Sequence, residues 1–271
     1  MGIEPYRLTI VEAPAADPRP PCQPLLPANV VLATATPADS VWPERSAALL
    51  AVLSDDERVK LRRFRFERDR RMYLVAHALL RNTLSCYADV PPEAWQFRPG
   101  SHGRPEISAP ATQLRFSLSH TAGLAACAVI LERDIGVDVE DRSRPVAADV
   151  AERFFSERER RDLRRASIDH RDGKFLEYWT LKEAYAKARG LGLSLPLEQF
   201  SVYPERGGQW RIAFEPPLND DPARWWLWSS RVGNNHQAAL AIGMSPSVKT
   251  TLHSHSAVTG CGDSAIGVPQ T

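Results

Sequence analysis

Cysteines are few in this chain and long apolar runs are absent, which excludes several classes of protein. The four cysteines, Cys22, Cys86, Cys127 and Cys261, lie far apart without a CxxC pair, so neither a disulfide framework nor a zinc site is indicated. No stretch approaches the ~18 apolar residues of a membrane span, and the first residues lack a basic start followed by an apolar run. The sequence therefore predicts a soluble, cytoplasmic protein that does not enter a membrane.

A strong net charge is lacking as well. The 34 basic and 33 acidic residues sum to +1, which argues against a general polyanion binder. The charges are uneven, because RVKLRRFRFERDRR at 58–71 is dense in cations, and such a patch can hold phosphates. Two other interpretations stay open for this patch: a solvated helix face, and a nucleic-acid site helped by Phe64 and Phe66. No nucleic-acid motif accompanies it, so we expect no nucleic-acid partner.

The composition divides the chain into a body and two terminal segments. Residues 1–28 and 245–271 are predicted to be a flexible lead-in and a flexible tail, because proline, alanine and small polar residues dominate them without apolar periodicity. The body separates into an N-terminal half, 29–133, and a C-terminal half, 134–244. Each half shows helical and strand patterns, so the sequence predicts an α+β protein.

Local signals mark the elements of each half. Ser54 with Glu57 and Ser156 with Glu159 form capping boxes that predict helix starts, and Gly190 indicates a helix end. Short strands are predicted at 29–35, 96–98, 116–119, 124–131, 135–140, 200–203, 209–214, 225–230 and 238–242, with SHGRPE as a turn after the second.

Two carboxylates lie side by side in the predicted strand IGVDVE. Asp138 and Glu140 are two positions apart, which places both on one face while Val137 and Val139 face the core. Neighbouring carboxylates repel, so such a pair has a raised pKa or binds a cation. A surface strand of alternating polarity is the competing interpretation.

A helical segment, WTLKEAYAK, supplies a third carboxylate. Trp179, Glu183 and Lys187 recur every four residues and share one face, with Lys182 nearby. An ordinary exposed Glu–Lys pair is the competing interpretation. Three carboxylates suffice for Mg²⁺, which prefers oxygen ligands and shares its sites with substrate phosphates. In FSLSH, Ser119 and His120 are both able to hydrogen-bond a phosphate.

These two motifs resemble the hallmarks of the Sfp-type (group II) 4'-phosphopantetheinyl transferases, a G-[IV]-D-[IV]-E strand and a W-[ST]-x-K-E-x-x-x-K helix. They stand here as GVDVE at 136–140 and WTLKEAYAK at 179–187, in the order and separation of the family. The resemblance covers most of the body and neither terminal segment. It extends to GRP at 103–105, FSLSHT at 116–121, RFFSERE at 153–159 and GLGLSLPLEQFSV at 190–202.

The resemblance implies a pseudo-twofold α+β fold of two similar halves, with coenzyme A in the cleft between them and Mg²⁺ on its pyrophosphate. Glu183 would join Asp138 and Glu140 as a metal ligand. The implied contacts with coenzyme A are Lys187 and Lys182 at the phosphates, Ser119 and His120 at the pyrophosphate, Lys60 and Arg71 at the 3'-phosphate end, and Gly103, Arg104 and Pro105 near the adenine.

Two positions depart from the family pattern. Arg104 replaces the lysine of the common GKP sequence, and it keeps the charge while adding a planar fork. Glu57 stands where some relatives carry a phosphate-contacting lysine.

The reaction implied by the resemblance is attack by a carrier-protein serine on the β-phosphate of coenzyme A, with release of 3',5'-ADP. Glu183, Lys187, Glu159 or a water at the metal stay open as the base. The expected partners are acyl and peptidyl carrier proteins of fatty-acid, polyketide or nonribosomal-peptide synthesis, with residues 153–165 forming part of the basic surface that they contact. The two-half form implies a monomer. A coenzyme A or nucleotide-binding module without turnover is the alternative function.

Overall fold

The fold is described from a computed structural model, over residues 6–12, 25–37, 42–146, 148–233 and 235–244. The predicted tail, 245–271, lies outside the described residues. Eleven strands and six α-helices form within this part of the chain. In chain order they are β1 (Arg7–Glu12), β2 (Asn29–Ala35), α1 (Trp42–Ala51), α2 (Asp55–Arg63), α3 (Glu67–Tyr87), β3 (Gln96–Pro99), β4 (Pro105–Ala109), β5 (Leu114–Thr121), β6 (Leu124–Leu131), β7 (Ile135–Asp141), α4 (Ala148–Phe154), α5 (Glu157–Arg165), α6 (Ile168–Arg189), β8 (Phe200–Pro204), β9 (Trp210–Phe214), β10 (Trp225–Val232) and β11 (His236–Gly243).

Each half contains one main sheet and one long helix that packs on it, and β3 and β4 form a separate two-stranded sheet in the N-terminal half. The first sheet has the order β1-β2-β6-β5, and the apolar face of α3 covers one side of it. The second sheet has the order β7-β11-β10-β9-β8, and α6 covers the equivalent side. The predicted boundary at 133/134 falls in the loop between β6 and β7.

The two sheets pack against each other through their other faces. A third apolar cluster joins them, with Val30 and Leu32 from β2 facing Val137 and Val139 from β7. The order β2-β6-β5 in the first half repeats as β7-β11-β10 in the second, and three helices follow the first strand of each set. The structure is therefore the pseudo-twofold pair of α+β halves that the sequence resemblance implied.

The helix starts agree with the sequence prediction. Both capping boxes form: the Ser54 hydroxyl accepts from the Glu57 N–H and the Ser156 hydroxyl accepts from the Glu159 N–H, with the glutamates bonding back. Gly190 ends α6 in the left-handed region, with a φ of 67°.

The prediction of a flexible lead-in is wrong over residues 7–12. These residues form β1, which pairs with β2 in parallel. The Tyr6 hydroxyl donates to the Gly243 carbonyl across the two halves at 3.0 Å, and Leu8 and Ile10 pack on the cluster between the sheets. Strand β4 is likewise missing from the prediction, because the proline and charged residues around it are typical of a turn. No helix in the described ranges is long and apolar enough to cross a membrane.

Gly136 sets how closely α6 approaches β7. A Cβ atom on this residue would lie 1.9 Å from the Ala184 carbonyl oxygen and 2.6 Å from the Ala188 nitrogen, so only glycine fits here. The close approach brings the polar face of α6 against the carboxylates of β7.

Candidate active site between the two halves

Asp138 is the point where three elements from both halves meet. Its side chain lies on β7 and is only 7% exposed. Oδ1 accepts from the Ser119 hydroxyl of β5 at 2.9 Å and from Nζ of Lys187 of α6 at 2.7 Å. Lys187 also donates to Ser119 at 2.9 Å, so the three side chains form a closed triangle. This triangle places a cation, a hydroxyl and a carboxylate at the junction of the halves.

The other two predicted carboxylates lie within the same electrostatic field. Burial and the charge of Asp138 raise the pKa of Glu140, against opposing contributions from the Trp179 hydrogen bond at 3.3 Å and from nearby cations. Burial and the charges of Asp138 and Glu140 likewise raise the pKa of Glu183, whereas Lys187 lowers it. The structure thus brings Asp138, Glu140 and Glu183 together as a group of mutually repelling carboxylates.

The donor chemistry of this group fits a divalent cation. Among the described residues, no three acidic, histidine or cysteine side chains are already placed as a ready metal cluster. Oδ2 of Asp138, however, is buried and has no hydrogen-bond partner in the described part of the chain. A buried carboxylate oxygen requires a partner, and Mg²⁺ can be that partner because it prefers oxygen ligands.

Ser119 and His120 do not face the same way, although the resemblance placed both at the pyrophosphate. Successive residues of a strand point to opposite faces, so Ser119 turns to β7 and His120 turns toward α3. Burial lowers the pKa of His120, and the charges of His77 on α3 and of Lys187 lower it further. His120 therefore lies within the electrostatic field of both His77 and Lys187.

The GRP turn borders a cavity that reaches Lys187. The cavity has a volume of about 230 Å³ and is lined by residues of both halves, among them Gly103, Arg104, Pro105, Lys187 and Gly190. Gly103 has a φ of 82°, which favours glycine at this turn.

The Arg104 guanidinium is largely occupied by backbone carbonyls. It donates to Ala188 at 3.0 Å, Phe116 at 3.1 Å and Ile135 at 3.0 Å, which belong to α6, β5 and β7. Arg104 therefore joins the two halves at the wall of the cavity, because its planar guanidinium bonds carbonyls from both of them.

Lys182 and Glu159 lie away from this site, which corrects two expectations. Both side chains are 0% exposed and form an ion pair at 2.7 Å in the core of the C-terminal half, where Lys182 also donates to the Phe200 carbonyl. Lys182 is one residue from Glu183 and so about 100° around the helix, which directs it to the sheet. Neither residue can reach a substrate phosphate or a carrier serine.

Lys60 and Arg71 lie on the α2–α3 segment. Lys60 is exposed, and Arg71 pairs with Glu67 at 3.2 Å. Arg71 lies about 240° around α3 from His77, the α3 residue whose charge reaches His120. The contact of Lys60 and Arg71 with the 3'-phosphate end of coenzyme A, which the resemblance implies, stays a prediction.

Part of the basic patch serves the fold. Arg58 donates to the Leu50 and Ala51 carbonyls at the end of α1, and Arg70 pairs with Glu67 at 3.1 Å. Such contacts reduce the charge available to a nucleic acid.

One polar network near the site was missed from the sequence. Glu57 accepts from Arg81 at 2.8 Å and lies 2.8 Å from the ring nitrogen of His77. The capping box identified Glu57 only as a helix start. Its two partners are 20 and 24 residues away along the chain, and no local pattern joins them.

Comparison with known proteins covers both halves. Residues 134–242 match the family model of the 4'-phosphopantetheinyl transferase superfamily, and residues 38–131 match that of the 4'-phosphopantetheinyl transferase N-terminal region. The 4'-phosphopantetheinyl transferase Sfp of Bacillus subtilis is 31% identical, over 66% of this chain and 78% of the relative. The 4'-phosphopantetheinyl transferase HetI of a Nostoc species is 37% identical, over 72% of this chain and 80% of the relative.

A solved structure shows a more limited likeness. The holo-(acyl-carrier-protein) synthase from Bacillus anthracis, in complex with CoA, is 19% identical, covers 41% of this chain and 96% of its own, and superposes with a TM-score of 0.34. The sequence relatives and the two matched family models together show that this chain belongs to the 4'-phosphopantetheinyl transferases.

Proposed function

We propose that this enzyme transfers the 4'-phosphopantetheine group from coenzyme A to a serine of an apo acyl or peptidyl carrier protein, with Mg²⁺, and releases 3',5'-ADP. The observation that carries the proposal is the Asp138, Ser119 and Lys187 triangle beside the cavity lined by the GRP turn. A phosphate-bearing substrate in that cavity meets a cation from α6 and carboxylates able to share a metal with it.

Asp138, Glu140 and Glu183 would hold the metal, which when bound would neutralise charge on the pyrophosphate. Lys187 supplies a fixed positive charge at the same place, since Asp138 and Ser119 already orient its ammonium group. Oriented charge of this kind is the main contribution that proteins make to phosphoryl transfer. His120 adds a donor from the α3 side.

The acceptor serine must lose its proton to a base. Glu159 is excluded because it is buried in an ion pair with Lys182. The ammonium group of Lys187 is bound in an ion pair with Asp138 at 2.7 Å. Of Glu159, Lys187 and Glu183, we therefore propose Glu183 as the group that accepts the proton. It lies on the same face of α6 as Lys187.

The carrier surface is proposed to include α5. Arg160, Arg161 and Arg164 gather around Glu157 on this helix, and together they leave a net positive, partly exposed face. Carrier domains are acidic, so the charges are complementary. Charge reversal at Arg160 and Arg161 should raise KM for the carrier, and an unchanged KM would remove α5 from the docking surface.

The direct experiment is to incubate the protein with coenzyme A, Mg²⁺ and several apo carrier domains, and to weigh the carriers by mass spectrometry. A gain of one phosphopantetheine group is expected, and the Asp138→Ala variant should produce none. Coenzyme A binding without any gain across the carriers would instead favour a binding module. Near-normal kcat for Asp138→Ala with Mg²⁺ would refute the ligand assignment.

A further inference from the structure

The hydrogen bonds of Ser119 point to a task other than contact with a substrate phosphate. The side chain is 7% exposed, and its single hydroxyl hydrogen is directed at Oδ1 of Asp138 at 2.9 Å. One of its lone pairs accepts from Lys187 at 2.9 Å. A serine hydroxyl has only one hydrogen to donate, so a phosphate could receive it only if Asp138 lost it.

The two oxygens of Asp138 are therefore unequal. Oδ1 accepts from both Ser119 and Lys187, whereas Oδ2 is buried without a partner among the described residues. A carboxylate held at one oxygen by two donors cannot rotate freely, and its other oxygen keeps a defined direction. Metal-binding carboxylates in proteins are commonly oriented by such outer hydrogen bonds.

We propose that Ser119 is a positioning residue for Asp138, and that Oδ2 of Asp138 is the oxygen it presents to the divalent cation. This inference rests on the proposed metal site and assigns the direction of one ligand within it. Lys187 acts from the same side, because it bonds the same oxygen and the Ser119 hydroxyl together.

A matched control lies two residues earlier on the same strand. Ser117 is 6% exposed and points to the same face as Ser119, and its hydroxyl accepts from the Val137 N–H of β7 at 3.0 Å. It thus makes one buried bond to β7, as Ser119 does, but to the backbone next to Asp138 rather than to the carboxylate.

The test is a Mn²⁺ titration followed by electron paramagnetic resonance, on the full chain with and without coenzyme A. Ser119→Ala should weaken Mn²⁺ binding by about 10- to 100-fold, the range found for outer hydrogen-bond partners. Ser119→Thr, which keeps the hydroxyl, should recover most of this loss, and Ser117→Ala should bind Mn²⁺ as the wild type does in the titration without coenzyme A, which excludes any effect of Ser117 as a residue of the cavity wall. If Ser119→Ala fails to fold, Ser119→Cys takes its place, because the thiol is close in volume and only a weak donor, so this variant should also bind Mn²⁺ more weakly than the wild type.

The outcomes separate this inference from the proposed function. If Ser119→Ala binds Mn²⁺ as tightly as the wild type and only raises KM for coenzyme A, Ser119 is a phosphate contact and the inference is overturned. An equal loss in Ser117→Ala would also overturn it, because the effect would then belong to strand packing. A wild-type protein that binds no Mn²⁺ would overturn the metal site and this inference together. Carrier modification, weighed separately, tests the transfer reaction itself.

Discussion

Replacing Glu57 by glutamine should destabilise the N-terminal half far more than a substitution at an exposed glutamate. The Glu57 carboxylate is almost fully buried beneath α3 and accepts from the Ser54 N–H at 2.9 Å and from Arg81 at 2.8 Å. It also lies 2.8 Å from the His77 ring. Arg81 is 1% exposed and donates further to the Trp95 carbonyl, so one buried carboxylate connects α2, α3 and the loop after α3.

The size of the expected stability loss follows from the pKa of Glu57. Burial by itself raises this pKa, but the hydrogen bonds from His77 and Ser54 and the charges of His77 and Arg81 outweigh it and lower the pKa from 4.5 to about 2. At 1.36 kcal/mol per pKa unit, the ionised form contributes about 3 kcal/mol. Because the folded-state pKa is the lower one, this contribution is present above pH ~4.5 and is lost as the pH falls toward 2.

Urea denaturation of the wild type and of Glu57→Gln across this pH range is the assay. At pH 7 the variant should lose about 3 kcal/mol, since glutamine cannot carry the charge and leaves Arg81 without its counter-ion. The difference should shrink as the pH approaches 2, where the wild-type carboxyl is itself protonated.

Glu67→Gln is the matched control. Glu67 lies at the start of α3, is 53% exposed and pairs with two arginines, so its loss should cost at most about 1 kcal/mol. A Glu57→Gln loss no larger than that of Glu67→Gln, or one that stays constant from pH 7 to pH 3, would refute the reasoning.

Three further substitutions test the packing around the site. Gly136→Ala should cost about 1–3 kcal/mol by denaturation and also reduce kcat, because its Cβ would meet the Ala184 carbonyl at 1.9 Å and push α6 from β7. Lys182→Met should cost about 3–5 kcal/mol by leaving the buried Glu159 carboxylate without its counter-ion, and adding Glu159→Gln should recover part of this loss; additive losses would contradict the pairing. Arg104→Lys keeps the charge, but one ammonium nitrogen cannot replace the two guanidinium nitrogens that bond the three carbonyls, so it should lower Tm and raise KM for coenzyme A; wild-type values would show that charge alone suffices.

Local sequence signals predicted most elements, because their causes are local. A capping box joins residues three apart, and the predicted strand 124–131 agrees residue for residue with β6. Strand β1 was missed because its stability is not local. Its pairing with β2 and the Tyr6 bond to Gly243 come from the far side of the fold, across a proline-rich segment that resembles a linker.

The sequence by itself determined which side chains of the site share a face. Strand alternation set Asp138 and Glu140 opposite the core valines, and helical spacing aligned Glu183 with Lys187. Only the tertiary structure decided which partner each of these side chains contacts. Lys187 reaches Asp138 and Ser119, whereas Lys182 is buried against Glu159, although the two lysines lie on the same helix. The reason is that spacing fixes a direction around one helix axis, while the atoms found in that direction belong to β5, β7 and α5, which only the packing of the two halves brings there.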